Sequence, residues 1–362
     1  MTTRPTRFAP PLAGLSLALL AVAGCGKGDT GEMATARQLT GAGATFPYPL
    51  YSRWFDAYQK STGIAINYQS IGSGGGIRQF TEGTVDFGAT DGPMNDEQIA
   101  ALGGNVLHIP TVIGAVVLTY NLPALGTTPL ALDGAAVADI YLGRIRRWND
   151  ARIAGLNPGV ALPDREIVVA HRSDGSGTTF VFTDYLSKVS PDWLSQVGRA
   201  TSVNWPVGLG GKGNEGVTQQ VKQLEGAIGY VELIYALSNN LQYATIKNRA
   251  GNAVTPTLES ATAAAAGATF APDTDFRVSI TDSPDPAAYP ITSFTWLLVK
   301  KDNPDPAKAR AIRDFLSWMV GTEAQGVAQE LKYAPLPAPV STLVTARIGQ
   351  LTAAGSAIPT SK

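Results

Sequence analysis

Apolar side chains recur along this chain at helical spacing in some stretches and at alternating spacing in others, and the two patterns interleave. Leu50, Tyr51, Trp54, Phe55 and Tyr58 share one helical face across 48–60, with Gly63 as the stop. Residues 64–68 then alternate as a strand, 77–82 read as a helix, 85–91 as a short strand ending in an acid, and 94–97 open another helix. The stretch 106–120 is long and β-rich, carrying Val112, Ile113, Val116, Val117 and Leu118. A helix at 136–142, a strand at 167–170, the helical run Phe180, Val181, Phe182, Tyr185 and Leu186, a helix at 217–224 and a strand at 227–232 follow. The Ala-rich 259–266 predicts a surface helix, 294–299 a strand, and 306–319 an amphipathic helix packing through Ile312, Phe315, Leu316 and Met319. Beyond Leu336 the tail is small and polar and predicts no element. Strands alternating with helices predict an α/β fold, and 362 residues are long for one compact domain, so two lobes are expected.

The start of the chain carries a different pattern. Arg4 and Arg7 precede an apolar segment at 12–22, too short for a comfortable membrane span, and small residues then lead into Cys25. Residues 1–24 are expected to be a signal peptide, and the small, polar 25–38 a flexible tether. Val-Ala-Gly-Cys resembles a bacterial lipoprotein signal in which Cys25 is lipidated, with Val22 where Leu is commoner. Cys25 is the only cysteine, and His108 and His171 are the only histidines, so neither a disulfide nor a zinc site is expected. Charged residues make up only 16% of the chain, against roughly 25% in an average soluble protein, and 39 glycines and 24 prolines indicate many turns. Without Arg4 and Arg7 the balance is 26 basic against 29 acidic side chains, with no basic stripe, which argues against nucleic-acid binding. Any anion must be held locally.

Three stretches have the chemistry to do so. HRSDGSGTT at 171–179 leads directly into a helical run, so the N–H groups of Gly177 and Thr178 are expected at a helix N-terminus, a natural oxyanion site, with Arg172 adding a forked cation. His171 beside them is assigned a structural role. GAGATF at 41–46 makes a tight turn at 41–44 before the first helix, placing the Thr45 hydroxyl and the Phe46 N–H at its start. SIGSGGG at 70–76 reads as a glycine-rich turn between strand and helix, making Ser73 a candidate ligand. It is no nucleotide loop, because Ile77 takes the last glycine position of GxGxxG and no Lys-Ser or Lys-Thr pair follows. Residues 208–216, with Lys212 alone among glycines, read as a mobile loop.

Asp91 sharpens the choice of anion. A carboxylate only accepts hydrogen bonds, so it can hold an oxyanion only through a proton which that anion carries. Phosphate near neutral pH keeps one; sulfate keeps none. Discrimination of about 10⁴ or more is expected, by analogy with other polar mismatches.

GAGATFPYPLY, YQSIGSGGGIRQF, VDFGATD, HRSDGSGTTFVFTDYL, GKGNEGVTQQVKQLEGAIGYVE and the later YPIT, in this order, resemble the periplasmic phosphate-binding proteins of high-affinity phosphate transporters, over about 39–336. The resemblance implies a type II periplasmic-binding-protein fold, two α/β lobes joined by a hinge with phosphate between them. Its phosphate ligands fall on Thr45, Phe46, Ser73, Asp91, Arg172, Ser176, Gly177 and Thr178, and its arginine-orienting acid on Asp174. Gly74 and Thr90 stand where serines are common in the family. The implied lobes are 39–110 with 289–362, and 111–288, the hinges lying near Pro110 and 289–292. The resemblance also implies a monomer on the periplasmic side of the cell envelope. It would be anchored by lipid and would deliver phosphate to an ABC permease with a cytoplasmic ATPase, without cofactor or catalysis. Two alternatives stand beside it: a receptor for sulfate or molybdate, and a phosphatase with Ser176 or Ser73 as nucleophile. The second lacks the G-x-S-x-G elbow, because Asp174 takes the first glycine position.

Overall fold

A computed structural model describes residues 35–271 and 274–359; the leader, Cys25 and most of the tether lie outside the described residues. Eight strands form the body of the main sheet: β1 (Gln38–Gly43), β2 (Ala65–Ser70), β3 (Phe87–Thr90), β4 (Leu107–Tyr120), β5 (Val168–Arg172), β6 (Leu209–Gly211), β7 (Ala227–Glu232) and β8 (Thr292–Val299). They run in the order β2-β1-β3-β8-β4-β7-β5-β6, and the short strand Gln242–Tyr243 joins β4 from the side. Each end of the sheet is parallel, β1 pairing with β2 and β3 at one end and β5 with β6 and β7 at the other. Antiparallel β8 and β4 join the two ends.

Strand β4 makes the join because all fourteen of its residues are buried, the composition a strand needs when covered on both faces. From Leu107 to Ala115 it pairs with β8; from Val116 to Tyr120 it pairs with β7. Pro110, which has no N–H to give, sits where the register with β8 shifts, between Thr295 and Trp296. The irregularity leaves Thr111 to bond through its side chain, donating to the Thr295 carbonyl at 3.2 Å. Within one continuous hydrophobic core, each half has its own group of ring contacts. Tyr51, Phe55, Tyr68, Phe87 and Phe315 pack on one side. Tyr141, Phe182, Trp205 and Tyr230 pack on the other, where His171 stacks on Trp205 with ring centroids 4.8 Å apart.

Four helices matter for the site: α1 (Tyr48–Thr62), α2 (Ser73–Thr81), α3 (Gly177–Val189) and α4 (Gly213–Gln223). Helix α1 buries the five expected side chains and ends at Gly63 in the left-handed conformation. The glycine-rich 73–76 is not a turn but the first turn of α2, and 41–43 is not a turn but the end of β1. Close approach explains the glycines. A Cβ on Gly76 would lie 2.4 Å from the Gly43 Cα, and one on Gly74 3.0 Å from the Gly175 Cα. Residues 208–216 are ordered as β6 and the start of α4 rather than a loop. The Ala-rich helix, Leu258–Ala266, is not wholly at the surface, since Ser260, Ala261, Ala264 and Ala265 are buried. The tail after Leu336 contains a helix, Ala338–Ile348, that buries Val340, Val344 and Ile348, and two short strands paired beside Asp302–Asn303. No helix among the described residues is long and apolar enough to cross a membrane.

Candidate functional site

The candidate ligands cluster at the carboxyl ends of the parallel strands, where open α/β sheets place their ligands. Thr45 and Phe46 follow β1, Asp91 follows β3, and Arg172 ends β5. Ser73 opens α2, while Ser176, Gly177 and Thr178 form the cap and first residues of α3.

Ser176 is the N-cap of α3, and its Oγ accepts the Thr179 N–H at 3.0 Å. The oxygen is therefore engaged as a cap, and the N–H groups of the preceding residues in that turn are the ones an anion can use. Arg172 is 3% exposed. Its Nε and Nη2 donate to the two oxygens of Asp174 at 2.8 and 2.6 Å, which leaves Nη1 turned to the Thr178 hydroxyl at 3.3 Å. Asp174 also accepts the Gly213 N–H at 3.0 Å. Burial works to raise the Asp174 carboxyl, but the Arg172 hydrogen bonds and charge outweigh it and hold the group below its ordinary range.

Asp91 is 1% exposed, and its two oxygens differ. The Thr295 hydroxyl donates to Oδ1 at 2.8 Å, while Oδ2 is buried with no hydrogen-bond partner among the described residues. Burial pushes the carboxyl up to about 7 against the pull of the Thr295 bond and the Arg172 charge. The Ser73 Oγ accepts the Asp91 N–H at 3.3 Å. Gly177 closes the group: a Cβ there would lie 2.5 Å from the Ser73 Oγ and 2.6 Å from both the Asp91 nitrogen and Oδ2. The carbonyls of Thr45 and Phe46 accept from the hydroxyls of Tyr235 (2.6 Å) and Tyr333 (2.7 Å). In a trans peptide this turns the Phe46 N–H away from Tyr235.

The eight ligand candidates and Asp174 therefore lie together. Others did not stand out in the sequence. Asn214, at the start of α4, donates through Nδ2 to the hydroxyls of Thr45 (2.6 Å) and Thr178 (3.2 Å). Thr295 orients Asp91, and the Tyr230 hydroxyl receives the Arg172 N–H at 3.1 Å. Asn214 lay in GKGNEG, where glycines hid a helix start; Thr295 lay in a strand that reads as core. Among the described residues no group of three or more His, Cys, Asp or Glu side chains is placed to hold a metal ion.

The doubled parallel sheet, its antiparallel join and an anion-suited site at the strand ends define a binding protein of the type II periplasmic-binding-protein fold. A PBP superfamily domain matches residues 29–323. The chain is 48% identical over 306 residues to the phosphate-binding protein PstS of Xylella fastidiosa (strain 9a5c), covering 84% of this chain and 83% of that one. It is 37% identical to the PstS of Methanocaldococcus jannaschii, covering 90% and 92%. Among solved structures, a human phosphate binding apolipoprotein shares the fold with a TM-score of 0.70, 21% identity and coverage of 85% and 93%. A phosphate-binding protein from Stenotrophomonas maltophilia shares it at 0.66, with 20% identity and coverage of 86% and 94%. The chain belongs to the family of PstS phosphate-binding proteins.

Proposed function

We propose that this protein binds inorganic phosphate between its two lobes and delivers it to a membrane ABC permease for import, with Thr45, Phe46, Ser73, Asp91, Arg172, Ser176, Gly177 and Thr178 as the ligands. The observation that carries the reading is the buried Oδ2 of Asp91, without a hydrogen-bond partner among the described residues and set beside the Ser73 hydroxyl, the α3 N-terminus at Gly177 and the Arg172 charge. Such a set suits a tetrahedral anion with many acceptors and one proton of its own. The protein holds and releases its ligand and does no chemistry on it. Titration calorimetry with phosphate tests the binding.

Lobe 1 comprises 39–110 and 289–362, lobe 2 comprises 111–288, and the change of partner along β4 at Ala115 and Val116 supplies a flexing point between them. Phosphate, touching residues of both lobes, stabilises the closed form, because a ligand shifts an equilibrium toward the state it binds better. The closed form then docks on the permease, whose ATPase lies on the cytoplasmic side. Gly177→Ala is expected to weaken phosphate binding at least about tenfold in calorimetry, because its Cβ would occupy the space between Ser73 and Asp91.

The protein works as a monomer on the periplasmic side of the envelope, held by lipid at Cys25, which lies outside the described residues. Cys25→Ser is expected to leave phosphate affinity unchanged and to move the protein from the membrane to the soluble fraction; persistence in the membrane fraction would contradict the anchor.

A further inference from the structure

We propose that Asn214 is a positioning residue for the anion, its amide fixing the direction in which the Thr45 and Thr178 hydroxyls present their hydrogens. The inference rests on the phosphate-binding reading and adds to it a residue that touches no ligand. Asn214 is fully buried. Its Oδ1 accepts the backbone N–H of Glu232 at 2.9 Å, and a backbone N–H can only donate, so the orientation of the amide is settled. Nδ2 therefore faces the cleft with two hydrogens, one for the Thr45 Oγ1 at 2.6 Å and one for the Thr178 Oγ1 at 3.2 Å.

Each hydroxyl oxygen receives a second donor. Thr45 accepts the Asn214 backbone N–H at 3.2 Å, and Thr178 accepts from Arg172 Nη1 at 3.3 Å. A hydroxyl oxygen has two lone pairs, so both acceptor positions are filled on each residue and only the hydrogen is left to offer. A free hydroxyl can turn a lone pair toward an anion and must be reoriented when the anion binds. These two are donors before it arrives, the preorganisation that makes a fixed dipole effective in a dry site. Thr45 follows β1 and Thr178 lies in α3, so one amide also ties together elements from the two ends of the sheet.

The test is calorimetry of phosphate binding to wild type, Asn214→Ala, the pair Thr45→Val with Thr178→Val, and the triple variant. Asn214→Ala is expected to weaken binding roughly 10- to 100-fold in the wild-type background. In the background lacking both hydroxyls it is expected to cost under about threefold, because the groups it acts through are gone. Equal costs in the two backgrounds, or wild-type affinity for Asn214→Ala, would overturn the inference alone. Absence of phosphate binding by the wild type would overturn the functional reading and this inference with it. Thermal unfolding without phosphate reports whether each variant folds; should Asn214→Ala fail to, Asn214→Ser enters the same comparison and is judged by the same outcomes.

Discussion

Arg172→Ala is expected to weaken phosphate binding by about a thousandfold or more, as read by titration calorimetry. Removing one partner of a buried, hydrogen-bonded charge pair costs roughly 3–5 kcal/mol, and about 1.4 kcal/mol is a tenfold change in affinity. Two effects add here. The ligand loses the guanidinium, and Asp174, only 13% exposed in its side chain and bonded at both oxygens to Arg172, becomes an uncompensated negative charge beside an incoming anion. Arg172→Lys is expected to recover only part of the loss, because an ammonium cannot span both Asp174 oxygens while also reaching the cleft. Affinity for phosphate near wild type in Arg172→Ala would show that the cation is not a ligand.

Asp91→Asn is expected to change selectivity more than affinity. The amide can donate as well as accept, so an anion without a proton no longer meets an unpaired lone pair, and sulfate binding should rise by at least about a hundredfold relative to phosphate. The same substitution changes the ligand-free protein. Burial holds the Asp91 carboxyl up at about 7 in the folded chain against its ordinary 3.8, so between those values the folded state binds more protons than the unfolded. Its contribution to stability is therefore complete below pH 3.8 and is lost as pH rises through 7, a change on the order of 4 kcal/mol across about three pH units. Asp91→Asn should remove that dependence and raise the apo unfolding temperature above pH 7. An unaltered pH profile of stability, measured by denaturant titration, would contradict the role given to burial.

What the sequence made legible divides by physical cause. Local periodicity placed α1 and its five buried side chains, because an amphipathic helix writes its buried face into the chain at fixed spacing. The cap at Ser176 and the arginine ahead of it were legible for a similar reason, since a helix start needs specific residues in order. Gly74 and Gly76 were misleading: glycine signals both a turn and a close backbone approach, and only the distant neighbours Gly175 and Gly43 show that the second applies. Asn214 and Thr295 act across 169 and 204 residues of chain, on Thr45 and Asp91, and no local pattern encodes such a contact. The tail helix Ala338–Ile348 does carry a stripe, Val340, Val344 and Ile348 at i, i+4 and i+8, but the surrounding small and polar residues make the segment read as irregular tail.

Asp91 turns a buried oxygen with no hydrogen-bond partner among the described residues toward a group of donors, and on that geometry the site admits only an anion carrying a hydrogen. The direct test is calorimetric titration of the purified wild-type protein with phosphate and with sulfate under identical conditions at pH 8. The predicted result is tight, saturable heat with phosphate and about 10⁴-fold or weaker binding of sulfate. Equal affinity for the two anions would contradict the account.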